Sequence, residues 1–178
     1  MTVYIILFRG VGGATQLPTA PLRAKLAEAG FENVSTYINS GNAVVKSQLG
    51  QRKVIATIAD LCREHFGFEK AVYAPTAAEW DKLIDNNPFA DAVEPGNLLH
   101  AALLEAEPTK EKVEALLALC AEGDRFAVVD KVAYIHTPNG FSKSGMAAKF
   151  DKGIGVANTA RNWNTVLKLR DLARKAAG

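Results

Sequence analysis

Polar residues near the end of the sequence could together bind an anion. Ser142 and Lys143 begin one predicted helix, and Arg161 begins the next. A cation in the first turn of a helix opposes the helix dipole unless an anion lies close by, and the first backbone amides can themselves bind that anion. The sequence therefore predicts one anion site supplied by Lys143 and Arg161. The alternative is that Arg161 pairs with an acidic residue from the other half of the chain.

Further polar groups accompany both helix starts. Ser144 lies in the first turn of the earlier helix, while Asn162, Asn164 and Thr165 lie in the first turn of the later one. Three polar groups in one turn exceed what capping a helix requires. They either bind the ligand or hydrogen-bond between the two halves of the chain. Trp163 falls on an apolar helical stripe and is predicted to be a core residue.

A glycine-rich loop and a hairpin tip in the first half offer a second group of candidates. The loop "RGVGG" begins at Arg9 and ends at Gly13, directly after a predicted strand. Its amides and the arginine could bind an anion, although the loop lacks the ending of a P-loop and is equally compatible with a permissive turn. At the hairpin tip, Tyr37, Asn39 and Asn42 offer phenol and amide groups to a ligand. Alternatively, the asparagines hydrogen-bond their own backbone.

The histidines and cysteines form no recognisable catalytic or metal site. They show no metal-ligand spacing, and the sequence has no HExxH, GxSxG or CxxC motif. Structural roles are predicted for His100 and His136, and buried free thiols for Cys62 and Cys120. No catalytic residue, metal or cofactor is therefore assigned.

Basic residues concentrate at the C-terminal end. Residues 141–178 contain eight Lys and Arg against two Asp, a net charge of +6, whereas the remaining chain has thirteen basic and seventeen acidic residues, or −4. Such a section can attract phosphates or an acidic partner, or it can be a solvated helix face. No apolar run approaches the roughly 20 residues that span a bilayer, and no signal peptide is recognisable. The protein is therefore expected to be cytoplasmic, without a membrane partner.

An α+β fold must position these residues. An apolar run from Val3 to Phe8 predicts a buried strand, and residues 52–66 place apolar side chains on one helical stripe. The element order of the first half is βαββαβ, the arrangement of a ferredoxin-like fold. The second half reads βαββα, followed by a final helix that starts at Arg161. We therefore predict two tandem ferredoxin-like subdomains, residues 1–86 and 97–178, with a connector at 87–96 and a C-terminal helix.

Three motifs resemble a known family. They are "TYINSGNAVV" at 36–45, "SKS" at 142–144 and "RNWNTV" at 161–166. They resemble the bacterial domain-of-unknown-function family numbered sixteen ninety-seven, which implies two ferredoxin-like halves and supplies no reaction. The family's glycine loop usually reads Arg-Gly-Ile-Asn-Val-Gly-Gly, and this chain lacks two of those residues, including the asparagine. The matched positions are Arg9, Gly13, Tyr37, Asn39, Ser40, Gly41, Asn42, Ser142, Lys143, Ser144, Arg161, Asn162, Trp163 and Asn164.

Three functions fit these observations. The first is an anion-binding protein that recognises a nucleotide or a nucleic acid, although the strands lack the aromatic pattern of an RNA-reading sheet. The second is an enzyme acting on a phosphorylated or carboxylated metabolite, with Tyr37 or Ser142 as the proton-transfer group. The third is a structural or interaction module in which the motif at 161–166 joins the two halves. The partner expected from the first is a phosphate-containing ligand or a nucleic acid.

Overall fold

The computed structural model describes residues 1–12, 15–39 and 41–178. By their internal contacts these residues form two compact units. The first unit contains Met1–Lys82 together with Lys168–Gly178, and the second contains Leu83–Leu167. The subdomain boundaries given above, 1–86 and 97–178, stay a prediction. None of the described helices is both long and apolar enough to cross a membrane.

The first unit is built on a four-stranded antiparallel sheet in the order β2-β3-β1-β4. This order and the two intervening helices are those of a ferredoxin-like fold. Its strands are β1 (Thr2–Phe8), β2 (Glu32–Thr36), β3 (Asn42–Ser47) and β4 (Val72–Tyr73), its two helices are α1 (Thr19–Glu28) and α2 (Gln51–Phe66), and α3 (Ala77–Asp85) follows β4.

Apolar periodicity explains why these elements form. The strand β1 is buried at every position after Thr2, as expected for the centre of a sheet. The helix α2 buries one stripe, which includes Val54 and Ile58, against that sheet. Gly67 then ends the helix in the left-handed conformation at φ 61°, which glycine adopts at little cost.

The second unit repeats the same topology. Its antiparallel sheet has the order β6-β7-β5-β8, so both sheets confirm the predicted pair of ferredoxin-like halves. The elements are β5 (Leu99–Leu104), α4 (Lys110–Leu117), β6 (Arg125–Val129), β7 (Val132–His136), α5 (Gly145–Gly153) and β8 (Asn158–Asn162), and the C-terminal helix is α6 (Trp163–Ala177).

The strand β8 corrects the sequence-based element order. Residues 158–162, "NTARN", were not predicted as a strand, and the last helix was predicted to start at Arg161. Arg161 instead lies on β8, opposite Ala101 of β5, and the helix starts at Trp163. The prediction was wrong because β8 is an edge strand of mostly polar residues. It is held by its pairing with β5 and carries no apolar alternation that a sequence could display.

Candidate functional site

A cavity of about 580 Å³ lies at the N-terminal end of α1 in the first unit. Its wall combines the loop after β1, the first residues of α1 and the tip of the β2–β3 hairpin. Gln16, Thr19 and Asn39 are the polar residues that line it. Val11 and the prolines Pro18 and Pro21 are among its apolar residues. The cavity can therefore hold a ligand that has both polar and apolar parts.

The start of α1 adds backbone donors to the same cavity. Pro18 precedes the helix, no side chain caps it, and its first turn contains no acidic residue. The amides of Thr19 and Ala20 have no acceptor within the helix, because an intrahelical bond needs a carbonyl four residues earlier. The positive end of the helix dipole therefore lies at the cavity wall.

Gly41 fixes the hairpin tip against the loop that follows β1. It has φ 75°, and the amide of Phe8 donates to its carbonyl at 2.9 Å. A Cβ atom at this position would lie 2.6 Å from Cγ2 of Val11 and 3.0 Å from the carbonyl oxygen of Phe8. Only glycine allows this close approach, which brings the two sides of the cavity together.

Ile38 occupies a costly conformation beside the cavity residue Asn39. Its φ of 48° is rare for a β-branched residue, and 52% of its surface is exposed. Backbone outliers of this kind cost about 1–3 kcal/mol and cluster at functional sites. The surrounding structure must therefore hold the backbone next to Asn39 in a conformation that Ile38 by itself disfavours.

The other first-unit candidates lie away from the described cavity wall. Asn42 is buried and its Nδ2 donates to the carbonyl of Tyr37 at 3.3 Å, while the amide of Tyr37 donates to the carbonyl of Asn42. This pair closes the hairpin. Arg9 is half-buried and its amide donates to Ala71. Gly13 and Ser40 lie outside the described residues.

In the second unit, Ser144 rather than Ser142 caps a helix. The side chain of Ser144 accepts from the amide of Ala147 at 3.1 Å and donates to Oδ2 of Asp124 at 2.6 Å. Ser142 and Lys143 are exposed and belong to a 3₁₀ turn before the cap. The prediction that Ser142 begins the helix is wrong, because the chain makes this extra turn first. Lys143 therefore does not lie in the first turn of α5.

Arg161 is held within its own strand. Its Nη1 atom donates to Oγ1 of Thr159 and to the carbonyl of Ala160, both at 2.8 Å. Burial lowers the pKa of its guanidinium to about 10. Because side chains alternate along a strand, Arg161 and Asn162 lie on opposite faces of the sheet. An anion site shared by Lys143 and Arg161 stays a prediction. Neither residue lies in the first turn of a helix, so the helix dipole no longer supports it.

The asparagines of the same motif have local structural partners. Oδ1 of Asn162 accepts from the amide of Thr165 at 3.0 Å and so caps α6. Trp163 is 2% exposed and is a core residue, as its position on the apolar stripe indicated. Asn164 is exposed, and its side chain lies against Gly96.

His100 is a polar residue whose surroundings the sequence did not reveal. It lies on β5 opposite Asn162, and its ring centroid is 4.5 Å from that of Phe141. Burial lowers the pKa of its imidazole to about 4. Recognising β8 as a strand is the signal that would have placed Asn162 beside it. In the described ranges, no group of three or more His, Cys, Asp or Glu side chains could hold a metal ion.

Comparisons with known proteins agree with the fold. A family model described as "Protein of unknown function (DUF1697)" matches residues 1–134. The solved structure of the conserved bacterial protein SP0830 from Streptococcus pneumoniae is similar, with a TM-score of 0.76 at 20% identity, covering 97% of this chain and 98% of that one. No curated protein matches the sequence. The match covers well over half of the chain and includes the motif at 36–45, and the chain belongs to the DUF1697 family.

Proposed function

We propose that the protein binds an anionic ligand, a nucleotide, in the cavity at the start of α1. The observation that carries this proposal is the composition of the cavity wall. Two backbone amides at the positive end of α1 are suited to a phosphate group. The carboxamide of Asn39 can donate and accept hydrogen bonds, as the edges of a base or the hydroxyls of a ribose require.

The size of the cavity favours a single nucleotide over a nucleic acid strand. A volume of about 580 Å³ falls within the range of roughly 300–1,000 Å³ that small-molecule pockets occupy. Apolar residues such as Val11 and Pro21 in its lining suit a ring. A strand of nucleic acid would instead call for an extended basic groove with stacking aromatics.

Ligand-dependent thermal stability tests this proposal. Mononucleotides should raise the melting temperature in a concentration-dependent way, and short RNA and DNA should raise it less. Asn39→Ala should weaken mononucleotide binding about 2- to 10-fold, the effect of one lost hydrogen bond. Gln48→Ala, which removes an exposed carboxamide outside the cavity, is the matched control. Absence of any shift with mononucleotides, sugar phosphates and oligonucleotides would rule the proposal out.

A structural role for the motif at 161–165 is the second candidate, and a separate observation favours it. Asn162 caps α6, Asn164 packs on Gly96, and Arg161 bonds within β8. We propose that this motif stabilises the second unit. Asn162→Ala should lower the free energy of unfolding by about 0.5–2 kcal/mol, the usual cost of losing a cap. An unchanged melting temperature would contradict this role.

A further inference from the structure

Two buried polar atoms lie close together at one end of the second unit's sheet. Nδ1 of His100 and Oγ1 of Thr137 have no hydrogen-bond partner in the part of the chain that the structure describes, and Thr137 is fully buried. Buried polar atoms without partners are rare in folded proteins, and each one calls for a physical reason.

Strand register places both side chains on the same face. His100 of β5 is opposite Ile135 of β7, and the amide of Thr137 donates to Leu98 at 2.9 Å, which extends the pairing by one step. His100 and Thr137 are therefore diagonal neighbours, with Cα atoms on the order of 7–8 Å apart. Their side chains therefore project from neighbouring positions on one face of the sheet.

Two more residues lie beside His100, and two others follow in the chain. Asn162 lies opposite His100 on the neighbouring strand β8, and therefore on the same face. Its Oδ1 already accepts a hydrogen bond from the amide of Thr165 at the start of α6. Within the described residues its Nδ2 donates to no group. Phe141 covers the imidazole of His100, and the exposed Ser142 and Lys143 follow Phe141 directly in the 3₁₀ turn.

The hydrogen-bonding groups around His100 and Thr137 indicate the class of ligand that would bind there. Thr137 supplies a hydroxyl donor and Asn162 an amide donor, and a protonated His100 adds an N–H donor, so donors predominate. We propose that these residues form a binding site for a small oxyanion, which enters when the Phe141 ring moves aside and is bound together with a proton on His100. This site lies in the second unit and does not depend on the nucleotide cavity of the first.

The charges around His100 are consistent with proton uptake on binding. On the elements packed against it, His136 of β7 and Arg161 of β8 alternate to the opposite face of the sheet, and Lys143 of the 3₁₀ turn is exposed. The imidazole is neutral without ligand because burial keeps its pKa near 4. An anion in contact with it favours the imidazolium and raises that pKa. Binding should therefore strengthen as the pH falls.

Sulfate is the appropriate probe, because it keeps a constant charge between pH 5 and 7. Sulfate titration of the full chain should shift the imidazole NMR signals of His100 in a saturable way. Its affinity should fall by up to about tenfold per pH unit as the pH rises, the limit for one linked proton. The exposed His65 serves as an internal control for non-specific ion effects. No saturable shift, or an affinity that is the same at pH 5 and 7, would overturn the proposal.

Thr137→Val separates a binding role from a structural one. Valine keeps the shape and removes the hydroxyl, so sulfate should bind at least fivefold more weakly. Without sulfate the melting temperature should stay unchanged or rise, because the lost hydroxyl had no partner. Asn39→Ala, in the first unit's cavity, should leave the His100 response unchanged, so failure of one site is distinguishable from failure of the other. Wild-type sulfate affinity in Thr137→Val would overturn the assignment.

Discussion

Asn164 of α6 packs directly on the backbone of Gly96, and the contact leaves no room for a side chain at position 96. A Cβ atom there would overlap Oδ1 of Asn164 and lie 2.9 Å from its Cγ and 3.1 Å from its backbone nitrogen. Gly96 begins the 3₁₀ turn that leads into β5, so this contact joins the start of α6 to the entry of the central strand. A polar motif that resembled a ligand site thus includes a packing contact.

Gly96→Ala is therefore expected to destabilise the protein. Inserting a methyl group into a filled space costs roughly 1–3 kcal/mol. Asn164→Ala removes the overlapping atoms, so the double variant should recover most of that loss. Gly145→Ala is the control, because the nearest atom to its Cβ would be Leu119 O at 3.7 Å, an ordinary contact. Chemical denaturation of these four variants and of the wild type provides the measurement, and additive losses in the double variant would refute the direct contact.

Ser144→Ala and Ser142→Ala are expected to differ sharply. Ser144 caps α5 and is bonded to Asp124, so its loss should cost about 1–2 kcal/mol of unfolding free energy. Ser142 is exposed and precedes the cap, and its replacement should change stability by less than about 0.5 kcal/mol. Thermal melts of the two variants compare them directly. Equal losses would show that the cap is misassigned.

Stability should fall on acidification because of His100. Burial lowers the pKa of its imidazole from 6.5 to about 4 in the folded state. The unfolded chain therefore takes up the proton first as the pH falls. The stabilisation is complete above pH 6.5 and is lost between pH 6.5 and 4, at up to about 1.4 kcal/mol per pH unit.

Denaturant unfolding at pH 7, 6 and 5, in buffers without sulfate or phosphate, measures this slope. His100→Gln lacks the titrating group and should show a shallower dependence. His136 adds a change of the same sign, since burial and the neighbouring Arg125 lower its pKa. An identical slope in His100→Gln and wild type would contradict this assignment.

The two thiols should react at very different rates. Cys62 is fully buried, and burial raises its thiol pKa to about 12. Cys120 is partly exposed, although burial and Asp124 raise its pKa as well. A disulfide reagent at pH 8 should therefore modify Cys120 in the folded protein and Cys62 only after unfolding. Fast modification of Cys62 in the folded Cys120→Ser variant would be inconsistent with the buried position of Cys62.

Apolar periodicity predicted most of the fold. The run in β1 and the stripe of α2 are strong patterns because buried faces repeat every two or 3.6 residues. The strand β8 has no such pattern, since an edge strand is stabilised by backbone pairing with β5. Predicting the number of strands in the second unit therefore required knowledge of the pairing of β8 with β5, which lie far apart in sequence.

The candidate sites were harder to predict for the same reason. Asn39 was selected from its turn composition, and it does lie on a cavity wall. Gln16 and Thr19 were missed because single polar residues near a helix start carry no pattern. The close approach of Gly41 to Val11, and the proximity of His100 to Asn162, involve partners about 30 and 60 residues apart. Contacts between residues so far apart in the chain cannot be inferred from local sequence patterns.

Helix α6 has a further consequence for how the chain is made. Asn162 caps its start in the second unit, and at its end Asn33 and Lys46 of the first unit donate to Ala176 and Ala177. The second unit is one continuous stretch, whereas the first needs residues from both sides of it. Synthesis therefore finishes residues 83–167 before it adds residues 168–178. The first unit therefore cannot complete its packing until residues 168–178 have been made, although all of its strands precede the second unit in the sequence.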